Sequence, residues 1–409
     1  MVFLYNLSVR MYVLLVRIAA NFNPKAKQWI DGRKDLFNKL EKAVKDEENI
    51  VWFHSASLGE FEQGRPVIES YKEKYPDCKI LLTFFSPSGY EVRKNYEEAD
   101  FIFYLPPDFA GNAKRFMDIV NPKLAFFIKY EFWHHYLKEL KKRNVPTYIF
   151  STIFRSDQLF FKSYGSFHRR MLSAFTHLFV QNQESLELLK GIGMSNTTLT
   201  GDTRFDRVYS IATGSKSLPK VEDFSQDRPV LIAGSTWPKD EDNIIQYLNE
   251  SENNYKYIIA AHEVDESHIN AITSKINKSW VRYTDASKQE INQAEVLVID
   301  CIGVLSSLYR YGTVAYIGGG FGRGIHNTLE AATFGLPIIF GPNYHKFQEA
   351  KDLIEIGASN SYEKYDELKD LLDDYFKNVK KRENSGQESK NYVDKMRGAS
   401  LKILSEIKV

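Results

Sequence analysis

Short apolar runs alternate along this chain with stretches in which apolar residues recur every three or four positions. Runs at 50–54, 79–84, 101–105, 124–128, 147–151 and 177–180 read as buried strands. Helical periodicity lies between most of them, for instance at 131–142 and 184–192. A polar stretch at 214–228 interrupts the pattern, and a second series of runs follows at 229–234, 257–261, 294–299, 313–317 and 337–340. Strands alternating with helices predict βαβ units and parallel sheets. The expected fold is α/β, with two Rossmann-like doubly wound domains, 35–213 and 229–389, facing a cleft and joined by a linker at 214–228. A charged helix at 366–384 is expected to break at Ser385-Gly386, and 390–409 to hold a helix packing back across the domains. Ligands of such sheets bind outside the carboxyl ends of the strands.

Residues 1–34 follow a different pattern. The first twenty are mostly apolar but carry Arg10 and Arg17, and the longest uninterrupted run, 11–16, is far short of a membrane span. At about 100° per residue, Asn6, Arg10, Arg17 and Asn21 fall on one stripe, with a wide apolar face around it. That predicts a helix lying in a membrane interface, assisted by Lys25, Lys27, Arg33 and Lys34. Its alternative is a first helix packed on the protein's own core. Arginines inside the apolar run, with no small-residue cleavage pattern after it, argue against a secretory signal.

Composition narrows the class. The chain has 409 residues, 43% hydrophobic and 26% charged, enough for more than one core. Net charge is +1, so no global field points to nucleic acid. The two cysteines, Cys78 and Cys301, lie in or beside apolar runs and read as core residues of a reducing compartment. No zinc-ligand spacing is present.

Candidate chemistry sits at the strand ends. Gly318-Gly-Gly-Phe-Gly322-Arg-Gly324-Ile-His326-Asn327-Thr-Leu-Glu330 links a buried strand to a helix start. Glycines admit a ligand close to the backbone, and the first helical N–H groups lack internal partners, which suits phosphate. Asn327 and Glu330, three apart, share a face suited to sugar hydroxyls; alternatively they form only a cap. Ser235 and Thr236 follow another strand and can bond an anion or cap the next helix. Asp240-Glu241-Asp242 has a metal-binding spacing, but acids in a first helical turn also complement the helix dipole. Glu60 follows the first strand at a helix start, placed either to take a proton from an attacking hydroxyl or to close a capping box with Ser57. The aromatic and basic run at 154–170 suits an anionic amphiphile, a half-buried helix or single-stranded nucleic acid.

These segments also carry a resemblance. His54-Ser-Ala-Ser57-Leu-Gly59-Glu60 resembles the His-x-x-Ser-x-Gly-Glu motif of the 3-deoxy-D-manno-octulosonic acid (Kdo) transferases of lipopolysaccharide assembly. Tyr130-Glu131-Phe-Trp133, Gly201-Asp-Thr-Arg204-Phe-Asp206, Ala233-Gly-Ser235-Thr236, Gly324–Glu330 and Gly341-Pro342 with Phe347 and Glu349 are similar to further family motifs, in the same order. The resemblance implies a GT-B glycosyltransferase on the cytoplasmic face of the inner membrane, peripheral or monotopic. It would transfer Kdo from CMP-Kdo to a lipid A precursor with inversion, without metal or other cofactor and without nucleic acid. Glu60 would be the general base. Ser235, Thr236, Gly322, Gly324, His326, Asn327 and Glu330 would hold the donor; Ser57, Gly59, Glu131, Arg155 and Arg204 would line the acceptor side.

Departures from the family pattern occur at Lys129, His134, Asp202, Arg204, Val304 and Ile325. Those near Lys129 and at 151–155 fall where the acceptor is expected. Two other readings compete: a nucleotide-sugar epimerase of the same fold, and a peripheral membrane protein that binds nucleotide or lipid without turnover.

Overall fold

A computed structural model describes residues 1–215 and 217–407. They divide into two compact units: Met1–Arg207 together with the segment from Arg397 on, and Val208–Met396. The first unit is built on β1 (Ile50–Ser55), β2 (Lys79–Phe84), β3 (Phe101–Tyr104), β4 (Leu124–Ile128), β5 (Thr147–Thr152), β6 (His177–Val180) and β7 (Thr197–Leu199). Every pairing is parallel, in the order β3-β2-β1-β4-β5-β6-β7. Phe53 stands opposite Leu82 on one side and Phe126 on the other. Side chains alternate between the two covered faces. Ile50, Trp52, Ala125 and Phe127 enter one core, while Val51, Phe53, Phe126 and Ile128 enter the other.

The second unit repeats the design with β8 (Val230–Thr236), β9 (Lys256–Ala261), β10 (Trp280–Arg282), β11 (Val296–Ile299), β12 (Val314–Ile317), β13 (Ile338–Phe340) and β14 (Ser359–Ser361), ordered β10-β11-β9-β8-β12-β13-β14 and also parallel. Two parallel doubly wound sheets bear out the expected fold class. Strands β7, β10 and β14 had no apolar signal because they are sheet edges of three residues each, exposed or half-buried except for Ser359.

Other expectations change. The polar stretch at 214–228 contains a helix, Pro219–Ser225, that buries Val221 and Phe224. No break occurs at Ser385-Gly386: one helix runs Val379–Met396 through it. Gly386 is there because a Cβ would lie 2.2 Å from the Gly335 carbonyl oxygen, so the glycine permits close packing instead of ending the helix. The break comes at Gly398, in the left-handed region, and a separate helix spans Ala399–Glu406. Asp206 caps it from a distance, accepting from the backbone N–H groups of Gly398 and Ser400 and from the Ser400 hydroxyl. Ile403 and Leu404 join the first unit's core, beside the Leu58–Lys74 helix. In the aromatic and basic run, Phe154, Phe160 and Phe167 are core residues, and Arg169 donates to the carbonyls of Phe160, Lys162 and Ser163. Cys78 is buried; Cys301 is partly exposed, at the loop after β11.

The N-terminal helix spans Val2–Ala19, with a mean hydropathy of 1.5. One face packs on its own unit: Val13 is buried, Tyr5 donates to Asp108, and Asn6 lies 2.6 Å from His135 Nε2. Phe3, Leu4, Leu7, Met11, Leu14, Leu15 and Ile18 are all exposed, on the opposite side. Arg10 and Arg17 flank the boundary. Arg33 does not join them at a lipid surface. It is half-buried, donating to the carbonyls of Trp29, Phe85 and Leu105, with Trp29 3.8 Å from its guanidinium; desolvation lowers its pKa to about 9. Lys34 pairs with Asp31.

Gly386→Leu is expected to force these backbones apart and cost about 2 kcal/mol or more, read as a lower denaturation midpoint. Substitution at the exposed Lys380 should leave the midpoint unchanged.

Candidate active site

In each sheet the first strand lies inside, and chain order reverses beside it. β1 has β2 on one side and β4 on the other; β8 has β9 and β12. Loops leaving the two strands at a reversal run to opposite faces and open a crevice. Three residues near these ends, Lys129, Ser151 and Ser235, hold positive φ angles of 70°, 57° and 54° without being glycine. Such strain persists where the surroundings hold it. Ser151 is held by a 2.7 Å bond to the Thr203 hydroxyl, which itself donates to the Gln63 carbonyl.

The β1 and β4 ends share a buried polar network. His54, fully buried, has Nε2 3.0 Å from Glu131 Oε2 and Nδ1 2.9 Å from the Thr83 hydroxyl. Trp52 donates its indole N–H to that hydroxyl, Nδ1 also lies 3.0 Å from the Thr83 carbonyl oxygen, and the Trp133 indole nitrogen lies 3.1 Å from Nε2. Trp133 also donates to Glu131, at 2.6 Å. Glu131 is thus spent on orienting the 130–133 segment, which is extended, so the helix begins at His134 rather than at 131.

Ser57 is the N-cap of the Leu58–Lys74 helix, yet its side chain makes no cap bond. Its hydroxyl donates instead to the Glu60 carboxylate. The capping box is therefore not formed, and the half-buried Glu60 is not tied to backbone. Gly59 is exposed beside it. Arg155 is exposed, and its guanidinium bonds Tyr130, whose hydroxyl is nevertheless pushed up by burial. Arg204 folds back on Asp202 at 2.7 Å.

In the second unit, the loops after β8 and β12 are braced by Asp240. This residue is fully buried and accepts from the N–H groups of Trp237 and Gly319 and from the Tyr316 hydroxyl. Burial raises its carboxyl pKa, and the three donors pull it back. Asp242 pairs with Lys275 on the surface, so the two acids serve separate purposes. The glycine run has a backbone reason. A Cβ on Gly318 would lie 2.2 Å from the Ser235 carbonyl oxygen, and one on Gly320 2.6 Å from Gly341. Gly322 and Gly324 turn back with their N–H groups on the Gly319 carbonyl.

Thr236 is buried and donates to Glu241, which also meets His268. The helix after the glycine loop is short, Leu329–Thr333. Asn327 Oδ1 accepts from the Leu329 N–H, and its amide donates to Glu330 at 3.0 Å, so the pair is held in register; the helix N-cap is Thr328, without a side-chain cap bond. His326 has Nε2 2.9 Å from the Trp237 indole nitrogen and stacks on His262 at 4.4 Å between centroids. Burial, then His262, lowers its pKa to about 4, so it is neutral at pH 7. Trp237, His262 and the bracing role of Asp240 were not legible: Trp237 reads as a loop residue before Pro238, and His262 approaches only because β8 and β9 are paired.

Asp240→Ala should cost about 3 kcal/mol, because three donors lose their acceptor in the interior. The drop in unfolding free energy checks it. For His326, the folded pKa of about 4 lies below the ordinary 6.5. Its contribution to stability is therefore full above pH 6.5 and is lost as pH falls toward 4. His326→Gln should flatten that part of a stability–pH profile.

A family model described as 3-deoxy-D-manno-octulosonic-acid transferase (kdotransferase) matches residues 31–207. A 3-deoxy-D-manno-octulosonic acid transferase of Aquifex aeolicus is 27% identical over 87% of this chain and 95% of its own. One of Haemophilus influenzae is 24% identical over 88% and 86%. Among solved structures, a putative UDP-N-acetylglucosamine 2-epimerase of Listeria monocytogenes superposes with a TM-score of 0.59 at 11% identity, covering 88% of this chain and 95% of that one, a likeness of fold alone. With a match to the 3-deoxy-D-manno-octulosonic-acid transferase domain at residues 31–207 and relatives of that name aligned through both sheets, the protein is a glycosyltransferase similar over most of its length to the 3-deoxy-D-manno-octulosonic acid transferases.

Proposed function

We propose that this protein transfers Kdo from CMP-Kdo to a sugar hydroxyl of a lipid A precursor, with inversion, and that Glu60 is the general base. Glu60 carries the reading. It stands at the carboxyl end of β1, beside the topological reversal, and its carboxylate meets a serine hydroxyl instead of capping backbone. A carboxylate so placed accepts the proton of an acceptor hydroxyl as that oxygen bonds the anomeric carbon and CMP departs with the electrons of the broken C–O bond. Ser57 orients Glu60. Gly59, Glu131, Arg155 and Arg204 belong to the acceptor side, with Arg155 the most exposed cation for a lipid phosphate.

The second unit takes the donor. Ser235 and the turn at Gly322 and Gly324 border the place for the CMP phosphate, with Thr236 bracing the strand end through Glu241; His326 adds an N–H, and Asn327 with Glu330 meets the ribose hydroxyls. Fixed donors stabilise the leaving phosphate as charge develops on it. A single phosphate has less need of a metal than a diphosphate. The exposed apolar face of Val2–Ala19, flanked by Arg10 and Arg17, holds the enzyme on the cytoplasmic leaflet of the inner membrane, where a lipid acceptor resides. A soluble epimerase has no use for such a face.

The test is Kdo transfer from CMP-Kdo to a tetraacylated lipid A precursor in the presence of chelator, wild type beside Glu60→Gln. The expected result is transfer by wild type and a loss of about 10²–10⁴-fold in the variant with CMP binding kept. Undiminished transfer by Glu60→Gln would return that residue to a structural part. Deleting residues 1–20 should release the protein from membrane pellets; continued pelleting of the truncated chain would refute the interfacial helix.

A further inference from the structure

Three rings meet at the carboxyl ends of β8, β9 and β12. Trp237 and His326 lie nearly coplanar, with 9° between their planes and their centroids 6.5 Å apart. His262 stacks against both, 4.8 Å from Trp237 and 4.4 Å from His326. The coplanar pair is joined edge to edge, indole Nε1 to imidazole Nε2, at 2.9 Å.

The chemistry of that bond leaves one arrangement. An indole N–H only donates, so His326 Nε2 must carry its lone pair. A neutral imidazole has one N–H, and it is then at Nδ1. The Cδ2 edge is also occupied, because Gly319 leaves no room there: a Cβ on it would lie 3.0 Å from His326 Cδ2. The Nδ1–H edge faces away from both contacts and has no acceptor among the described residues. Trp237 is itself fixed, its backbone N–H held by Asp240, the same carboxylate that holds Gly319. Indole, glycine loop and imidazole are therefore set by one buried anion.

We propose that Trp237 is a positioning residue that holds His326 in the Nδ1–H tautomer, so that this N–H is presented to an anionic oxygen of the nucleotide-activated sugar. The proposal rests on the donor-site reading of His326 given above. His262 serves as the floor against which both rings stay in plane. Free imidazole in water favours the other tautomer, so the indole bond has a specific task that an aromatic ring without a donor does not perform.

The experiment uses full-length protein labelled with [15N]histidine, with His326 assigned by comparison with His326→Gln. In wild type, Nε2 should resonate as an unprotonated nitrogen and Nδ1 as a protonated one, with titration near pH 4. Trp237→Phe keeps a ring for His262 to stack on but removes the N–H. It should give mixed tautomers and raise the KM for CMP-Kdo by roughly five- to tenfold with kcat within about twofold. His262→Ala keeps the indole bond and should keep the tautomer. An Nε2–H tautomer in wild type, or unchanged spectra and KM in Trp237→Phe, would overturn the proposal. So would a tautomer change in His262→Ala alone. Absence of any transfer from CMP-Kdo by wild type would instead sink the functional reading, while the spectra still decide the tautomer.

Discussion

Parallel pairing on both sides of a first strand is the constraint on which the rest of this structure depends. β1 accepts β2 and β4 as neighbours, and β8 accepts β9 and β12. All strands then point the same way, and their carboxyl ends lie along one rim of each sheet. Segments far apart in sequence become neighbours there. His54 meets Glu131 across 77 residues, and Trp237 meets His326 across 89. No local propensity produces such contacts; they follow from the ladder order.

Each rim is stabilised by a polar network built around a buried group, Thr83 and His54 in one unit and Asp240 in the other. His54, Thr83, Glu131, Trp52 and Trp133 form one set, and Asp240 with Trp237, Gly319 and Tyr316 forms the other. Buried polar atoms without partners are costly, so these sets fix their loops within narrow limits. The groups proposed for chemistry are not locked in the same way. Among the described residues, Glu60 bonds the Ser57 hydroxyl and the Nδ1 edge of His326 meets no acceptor. Rigid support beneath partly free functional groups is the arrangement that positions a reacting centre without occupying it.

The N-terminal helix shows how one segment satisfies two surroundings. A narrow face carries Tyr5, Asn6 and Val13 to the protein, ending on Asp108 and His135. Asp108 also accepts the N–H groups of His135 and Tyr136, which start the helix after β4. The N-terminal helix is thereby bonded to the element that follows the 130–133 segment. Arg33, which the sequence grouped with surface cations, is instead a half-buried link between backbone carbonyls, because its neighbours Trp29, Tyr104 and Phe85 offer aromatic faces.

The sequence by itself determined the fold class, the interior strands, the exposed apolar helix face and the strand ends where chemistry concentrates. Apolar periodicity reports which faces are buried, and buried parallel strands are the strongest form of that signal. Three-residue edge strands gave no such signal, and Gly386 misled because a glycine that admits a neighbouring backbone looks the same as one that ends a helix. Tertiary structure alone decided that Glu60 is not tied into a capping box, that Asp240 is a brace rather than a surface acid, and that Trp237 sets the hydrogen-bonding edge of His326. Those outcomes depend on which side chains arrive from distant segments, and spacing along one chain holds no record of that.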